Sequence, residues 1–283
     1  MLRPILLLCL LIPGLLAGCL TVRETIASPT QAVTLPAVQA TLLPSATSMP
    51  TATAYAPTVT PTPGPWLCSP LQGISLDQMG NLISNPFHPP PPGSDDPHQG
   101  VDLAIRARDS QVALAGNPVQ AALPGRVAMV TRDRFPFGNA VILETPLDTL
   151  PADFWSGAAI PTPAPTLGLH SALTCPPGPP PVIPDASQRS LYVLYAHLAA
   201  PADLKPGDSQ ACGQVFGAVG MSGNALNPHL HFETKVGPSG LRIDSMAHYE
   251  ASASLDEMRN YCLWSISGLF QLVDPLKILQ PTP

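Results

Sequence analysis

Leu191-Tyr192-Val193-Leu194-Tyr195-Ala196-His197-Leu198 carries the period of a β-strand. Successive strand side chains point to opposite faces. Leu191, Val193, Tyr195 and His197 therefore share one face, and Tyr192, Leu194, Ala196 and Leu198 the other. The alternation puts an imidazole where packing alone does not ask for one. Five more short runs rich in Val, Leu, Ile or Tyr, at 101–105, 126–130, 140–144, 214–219 and 229–234, are separated by glycine-containing turn signals. Together they predict a mainly β, antiparallel domain. The best candidate for a turn or two of helix is 254–261.

Composition narrows the possibilities further. The chain has 283 residues and 38 prolines, and each interior proline costs a helix on the order of 3 kcal/mol, which excludes a helical bundle or coiled coil. With 13 basic against 19 acidic residues and a formal charge of −6, it has no electrostatic footprint for nucleic acid. Residues 20–66 hold 8 of the prolines and 145–190 hold 11, which leaves roughly one folded domain, 67–283, carrying a Pro-rich insertion.

Met1-Leu2-Arg3 begins a basic start, residues 4–18 are almost wholly apolar, and small residues precede Cys19. This reads as an export signal over 1–18, too short and too Pro-interrupted for a comfortable membrane span. Leu16-Ala17-Gly18-Cys19 resembles the lipobox of bacterial lipoproteins, which implies lipid on Cys19 and anchorage of the exported chain to an envelope membrane. Ordinary secretion with an accidental cysteine is the alternative. Residues 19–66 are rich in Thr, Pro and Ala, with only Arg23 and Glu24 charged. Such a segment cannot bury enough apolar surface to offset its ordering entropy, so it reads as an extended tether.

The chemistry lies in the histidines. His98-Gln99-Gly100-Val101-Asp102 sets an imidazole four residues before a carboxylate, and Pro228-His229-Leu230-His231-Phe232-Glu233 sets two imidazoles at i and i+2. On a strand that spacing places both rings on one face. Zinc accepts imidazole nitrogen and carboxylate oxygen at about 2.0–2.2 Å, and a catalytic site keeps three protein ligands with one position open. Two His and one Asp satisfy that count. Glu233 shares the face of His229 and His231 and reads as an exposed strand-end carboxylate rather than a supporting partner. His88, His170 and His248 lie outside every motif and read as surface residues. Gly100 reads as a close-approach position beside the metal-bearing strand, and Gly138, Gly217, Gly220 and Gly223 as hairpin or bulge positions.

These motifs resemble those of the LytM and lysostaphin family of peptidoglycan metalloendopeptidases, with its HxxxD and HxH signatures. The match extends through Asn85-Pro86-Phe87, Gly125-Arg126-Val127, 137–141, Tyr195-Ala196-His197-Leu198, 217–224 and Asp274-Pro275, in the right order. The resemblance implies an antiparallel, barrel-sandwich-like β fold and one Zn2+ on His98, Asp102 and His231. It further implies His197 and His229 as unligated catalytic histidines, and hydrolysis of peptidoglycan stem peptides or cross-bridges. A catalytically silent regulator or wall-binding lipoprotein of the same fold would be expected to lack ligands, and none is missing. A lipoyl-like carrier would need a lysine at a hairpin tip, which is not evident.

The insertion 145–190 departs from the family, which has a short hairpin there. Because it joins the strand bearing His197, it is expected to border the groove. Cys9 leaves with the signal and Cys19 is the candidate lipid site. Cys68, Cys175, Cys212 and Cys262 remain, an even number that in an exported chain suggests two disulfides with three possible connectivities. The expected pairing joins Cys68 to Cys262 and Cys175 to Cys212. A thiolate zinc site is the alternative, but CxxC spacing is lacking. The oligomeric state is not legible.

Overall fold

The computed structural model describes residues 65–152, 154 and 173–280. The 1–18 signal, Cys19, all but the last two residues of the tether, His170 and positions 153 and 155–172 of the insertion lie outside the described residues.

The elements run in order as β1 (Ile83–Asn85), β2 (Val101–Leu103), β3 (Pro118–Gln120), β4 (Gly125–Arg134), β5 (Gly138–Pro146), β6 (Asp185–Ala196), β7 (Ser209–Gln210), β8 (Val215–Ala218), β9 (Leu230–Ser239), α1 (Leu255–Ser265), β10 (Gln271–Val273) and α2 (Pro275–Leu279). The main sheet is antiparallel, in the order β1-β2-β9-β6-β5-β4-β7, with β10 also paired to β9. Strands β3 and β8 form a separate antiparallel pair. β9 is long enough to serve two partners on one edge: β2 pairs with residues 230–232 and β10 with 234–236.

Both faces of this sheet are buried, as the apolar alternation demands. Leu191, Val193 and Tyr195 pack on one face with Val141, Leu143, Leu230 and Phe232. Tyr192, Leu194 and Ala196 pack on the other with Ile142, Trp264 and Phe270. The second face is covered by the chain after β9, including α1. That helix starts where the sequence writes a capping box: Ser254 accepts the Glu257 N–H, and Glu257 reaches back to the Ser254 N–H.

The expected alternation holds to Ala196 and then fails. His197 has φ +61°, and Leu198 joins the cluster of Leu191 and Val193 rather than that of Tyr192. A left-handed residue turns the chain out of the strand, and the side-chain parity reverses there. His197 is thereby freed from the core face to which strict alternation assigned it.

The disulfides are Cys68–Cys212 and Cys175–Cys262, which corrects the expected pairing of Cys68 with Cys262 and Cys175 with Cys212. The reason is local. The Cys68 N–H donates to the Ala122 carbonyl and the Gly213 N–H to the Ala121 carbonyl, so the entering chain and the β7–β8 turn flank one short segment. Cys175 instead follows the insertion onto α1, where Arg259 donates from Nε to the Pro177 carbonyl. Strand β5 continues to Pro146 and β6 begins at Asp185, so the chain between these paired strands is 147–184.

Candidate metal centre and active site

Strand register builds the centre. β2 and β9 pair with Asp102 directly opposite His231, and His98 enters from the chain just before β2, held by an isolated bridge between His88 and His98. Gly100 is required here. A Cβ at that position would lie 2.7 Å from the Phe232 carbonyl oxygen and 3.0 Å from Cε1 of His231, so any side chain would push the HxxxD segment off the HxH strand.

His98 Nε2 lies 3.2 Å from Asp102 Oδ1 and 3.2 Å from His231 Nδ1, and the last two atoms are 2.8 Å apart. A tetrahedral ion with ligands at 2.0–2.2 Å has edges of about 3.3–3.6 Å. The two 3.2 Å separations therefore need at most a few tenths of an ångström of relaxation to hold one and the 2.8 Å separation about 0.5–0.8 Å, and among the described residues these are the one group of three His, Cys, Asp or Glu that could hold a metal ion.

The tautomers fit the same conclusion. His98 Nδ1–H donates to the Pro86 carbonyl at 2.8 Å, His197 Nδ1–H to Ser222 at 2.7 Å and His229 Nδ1–H to Asn227 at 2.8 Å. Each leaves a bare Nε2. His231 is reversed: its Nε2–H donates to Glu233 Oε1 at 2.9 Å, leaving Nδ1 for the centre. In the neutral rings, His98 Nε2, His231 Nδ1 and the Asp102 oxygen are all lone-pair donors facing one another. That arrangement calls for a cation between them, and imidazole nitrogen with carboxylate oxygen suits zinc. His197 and His229 adjoin this trio, with ring centroids 4.8 Å apart and that of His197 5.6 Å from that of His231. His229 Nε2 is 3.5 Å from Asp102 Oδ1.

Glu233 is not the exposed carboxylate the strand pattern suggested. It is 2% exposed and accepts from His231 on one oxygen, and from Trp264 Nε1–H at 2.8 Å and the Lys235 ammonium at 3.1 Å on the other. Lys235, itself 1% exposed, also donates to Gln99 Oε1 and the Trp264 carbonyl and lies over the Trp264 ring. Outer partners of this kind fix the orientation of a metal-binding imidazole. Glu233 shares the HxH face, which was the one available signal. Trp264, which buries it, comes from α1 and could not be anticipated from strand spacing.

His248 is likewise buried, at 5% exposure, rather than on the surface. It packs against Tyr249 and Tyr261 and donates from Nε2 to the Thr174 carbonyl. His88 is exposed. Sequence reasoning missed Asp95, Tyr249 and Tyr261. Both phenols donate to Asp95 Oδ2 at 2.7 Å, and all three line the same groove as the centre, a space of about 760 Å³.

Burial works against an ionised Asp102, but the adjoining imidazoles of His231 and His98 outweigh it and hold its carboxyl far below the usual range. Burial likewise opposes charge on His231, yet Asp102 and Glu233 together raise it to about 9. His197 is lowered to about 3, first by burial and then by His231 and His229.

Two titrations of opposite sign therefore act on the stability of the metal-free protein. Between pH 6.5 and 3 the unfolded chain takes up a proton that folded His197 refuses, so stability falls with pH by up to roughly 1.4 kcal/mol per unit. His231 contributes stabilisation that is complete below pH 6.5 and is lost as pH rises toward and through 9. Chelated protein should melt highest near pH 6.5 and lower on either side. A metal ion that takes His231 Nδ1 in place of the proton should remove the alkaline fall. Melting curves from pH 4 to 9, with chelator and with zinc, check this; a chelated protein that gains stability from pH 6.5 to 9 would contradict it.

No family model matches the chain, and no curated protein matches it. Solved structures do. An M23 peptidase from Pseudomonas aeruginosa is 20% identical over 64% of this chain and 52% of its own, with a TM-score of 0.30. A zinc-containing peptidase from Vibrio cholerae is 21% identical over 54% of this chain and 32% of its own, with a TM-score of 0.30. The chain thus spans about half the length of the first and a third of the second. The catalytic domain of the antimicrobial peptidase lysostaphin from Staphylococcus simulans is 21% identical over 57% of this chain and 86% of its own, with a TM-score of 0.33.

Proposed function

We propose that this chain is a zinc-dependent endopeptidase that hydrolyses peptide bonds in peptidoglycan stem peptides or cross-bridges. In this reading it is exported and held to an envelope membrane by lipid on Cys19, with 19–66 as the tether. The observation that carries the catalytic part is the inward convergence of His98 Nε2, Asp102 Oδ1 and His231 Nδ1 within 3.2 Å of one another, beside two further imidazoles whose Nδ1–H groups are already committed.

His98, Asp102 and His231 would hold the zinc, which when bound would supply a Lewis acid and lower the pKa of a water from 15.7 to about 7. The chain's own groups then have defined tasks. His229 Nε2 is a bare acceptor, 3.5 Å from the Asp102 carboxylate. It suits removal of the water proton as the C–O bond forms, and return of that proton to the amine as the C–N bond breaks. His197, kept neutral by burial, is poorly suited to holding that proton. Its Nε2 instead accepts a hydrogen bond and so orients the water or a substrate N–H. Phe137, buried beside His231 and Tyr261, narrows water access on one side.

The test is release of soluble peptides from purified peptidoglycan by the purified protein, with its metal content measured in the same preparation. One zinc per chain and hydrolysis abolished by chelation and restored by zinc are expected. Stoichiometric zinc with no hydrolysis of any wall preparation would favour a wall-binding regulator. An unaltered protein that holds no zinc would overturn the reading.

A further inference from the structure

The groove beside the metal centre is lined by four carboxylates, Asp95, Asp96, Asp102 and Glu233, and by no Lys or Arg among the described residues. Two of the four are committed: Asp102 faces the centre, and Glu233 is paired with His231 and Lys235. Neither Asp95 nor Asp96 has an ion-pair partner among the described residues. Lys235 acts on Asp95 only at a distance, because its ammonium is spent on Glu233, Gln99 and the Trp264 carbonyl.

Asp95 is also oriented. Tyr249 and Tyr261 both donate to its Oδ2 at 2.7 Å, and burial together with Asp95 itself keeps the two phenols protonated. Oδ1 is left without a hydrogen bond among the described residues. The Tyr249 side chain is exposed while Tyr261 is buried against His248 and Phe137, so one aromatic ring stands open at the groove beside a fixed carboxylate. A carboxylate oxygen next to an aromatic face is a receptor for an ammonium group, through a charge-assisted hydrogen bond and cation–π attraction. A second metal ion is not indicated, because the sole metal-capable trio among the described residues is His98, Asp102 and His231.

Resting on the endopeptidase reading above, we propose that Asp95, held by Tyr249 and Tyr261, is a specificity-determining residue that binds a free primary ammonium of the peptide substrate, at a side chain or a chain end near the scissile bond. Substrates whose amine is blocked lose this contact and leave the Asp95 charge uncompensated beside them.

The experiment compares peptidoglycan with free amines and the same preparation acetylated with acetic anhydride. The zinc-loaded full chain is used, and both peptide release and binding of solubilised fragments are measured. A charge-assisted hydrogen bond lost on one side predicts a decrease of about tenfold or more in kcat/KM and in affinity for the acetylated material. Asp95→Asn should make the two preparations nearly equivalent, and Tyr249→Phe, at an exposed position, should narrow the difference without loss of zinc. Zinc content and melting temperature establish that each variant is folded; should D95N fail that check, Y249F carries the test. Equal binding and equal hydrolysis of the two materials by the unaltered protein would overturn the proposal, as would a D95N variant that still discriminates. Preferential binding of the amine form without hydrolysis of either would support amine recognition while overturning the endopeptidase reading, so the two failures are distinguishable.

Discussion

On the proposed zinc endopeptidase reading, a His231→Ala variant is expected to purify without zinc and to release peptides from peptidoglycan only at the uncatalysed background. His231 is the hinge of the centre, since its Nδ1 is within 2.8 Å of Asp102 Oδ1 and 3.2 Å of His98 Nε2. Without it only one imidazole and one carboxylate remain, too few for a catalytic zinc site with three protein ligands. Outer partners of metal ligands alone account for about 10–100-fold in affinity, so loss of a ligand should exceed that range, which equilibrium zinc titration against a chromogenic chelator would show. The variant should remain folded, because the β2–β9 register rests on backbone hydrogen bonds and on Val101, Leu103, Leu230 and Phe232, all fully buried. Far-UV circular dichroism and melting separate loss of metal from loss of fold. Stoichiometric zinc in H231A would remove this histidine from the ligand set.

Glu233→Ala should have the second-largest effect and should strike stability and metal affinity together. The substitution leaves Lys235 buried with its counter-charge removed, and breaking a buried pair from one side costs about 3–5 kcal/mol. It also frees His231 Nε2–H and Trp264 Nε1–H from their acceptor, so the imidazole loses its orientation and zinc affinity should fall by about 10–100-fold. Glu233→Gln separates the two roles. Its carbonyl can still accept from His231, so most of the zinc affinity should return, while the lost charge keeps stability below that of the unaltered protein. Denaturant unfolding of the zinc-free forms and zinc titration of the folded ones give both numbers. An E233A protein as stable as the parent, with unchanged zinc affinity, would show that the buried carboxylate does neither task.

What could be read in advance and what could not divide along sequence distance. The antiparallel β class followed from the two-residue period of 191–196, which the packing of β6 on both faces respects. The period misplaced His197, because one left-handed residue reverses parity and no composition marks it. His229 and His231 share a face because they are two apart on one strand. That Asp102 meets His231 depends on the β2–β9 register between residues 129 apart. Gly100 was legible as a close approach, since a Cβ there has no room beside β9.

The supporting shell was not legible, for the same reason. Glu233 has the form of an exposed strand-end carboxylate until α1 brings Trp264 down upon it. His248 has the form of a surface residue until it is enclosed between Tyr249, Tyr261 and the Thr174 carbonyl. The cysteines announced two crosslinks by their number, while their partners were chosen by which loops the sheet brings side by side. By itself, then, the sequence determined the strand class, the residue types that can hold and work with a metal, and the glycine that lets two strands approach. Only the tertiary structure decided which imidazole nitrogen faces inward, which carboxylates are spent and which remain for a ligand. Those choices depend on pairing and burial between segments far apart in the chain, and side-chain periodicity within a segment carries no information about them.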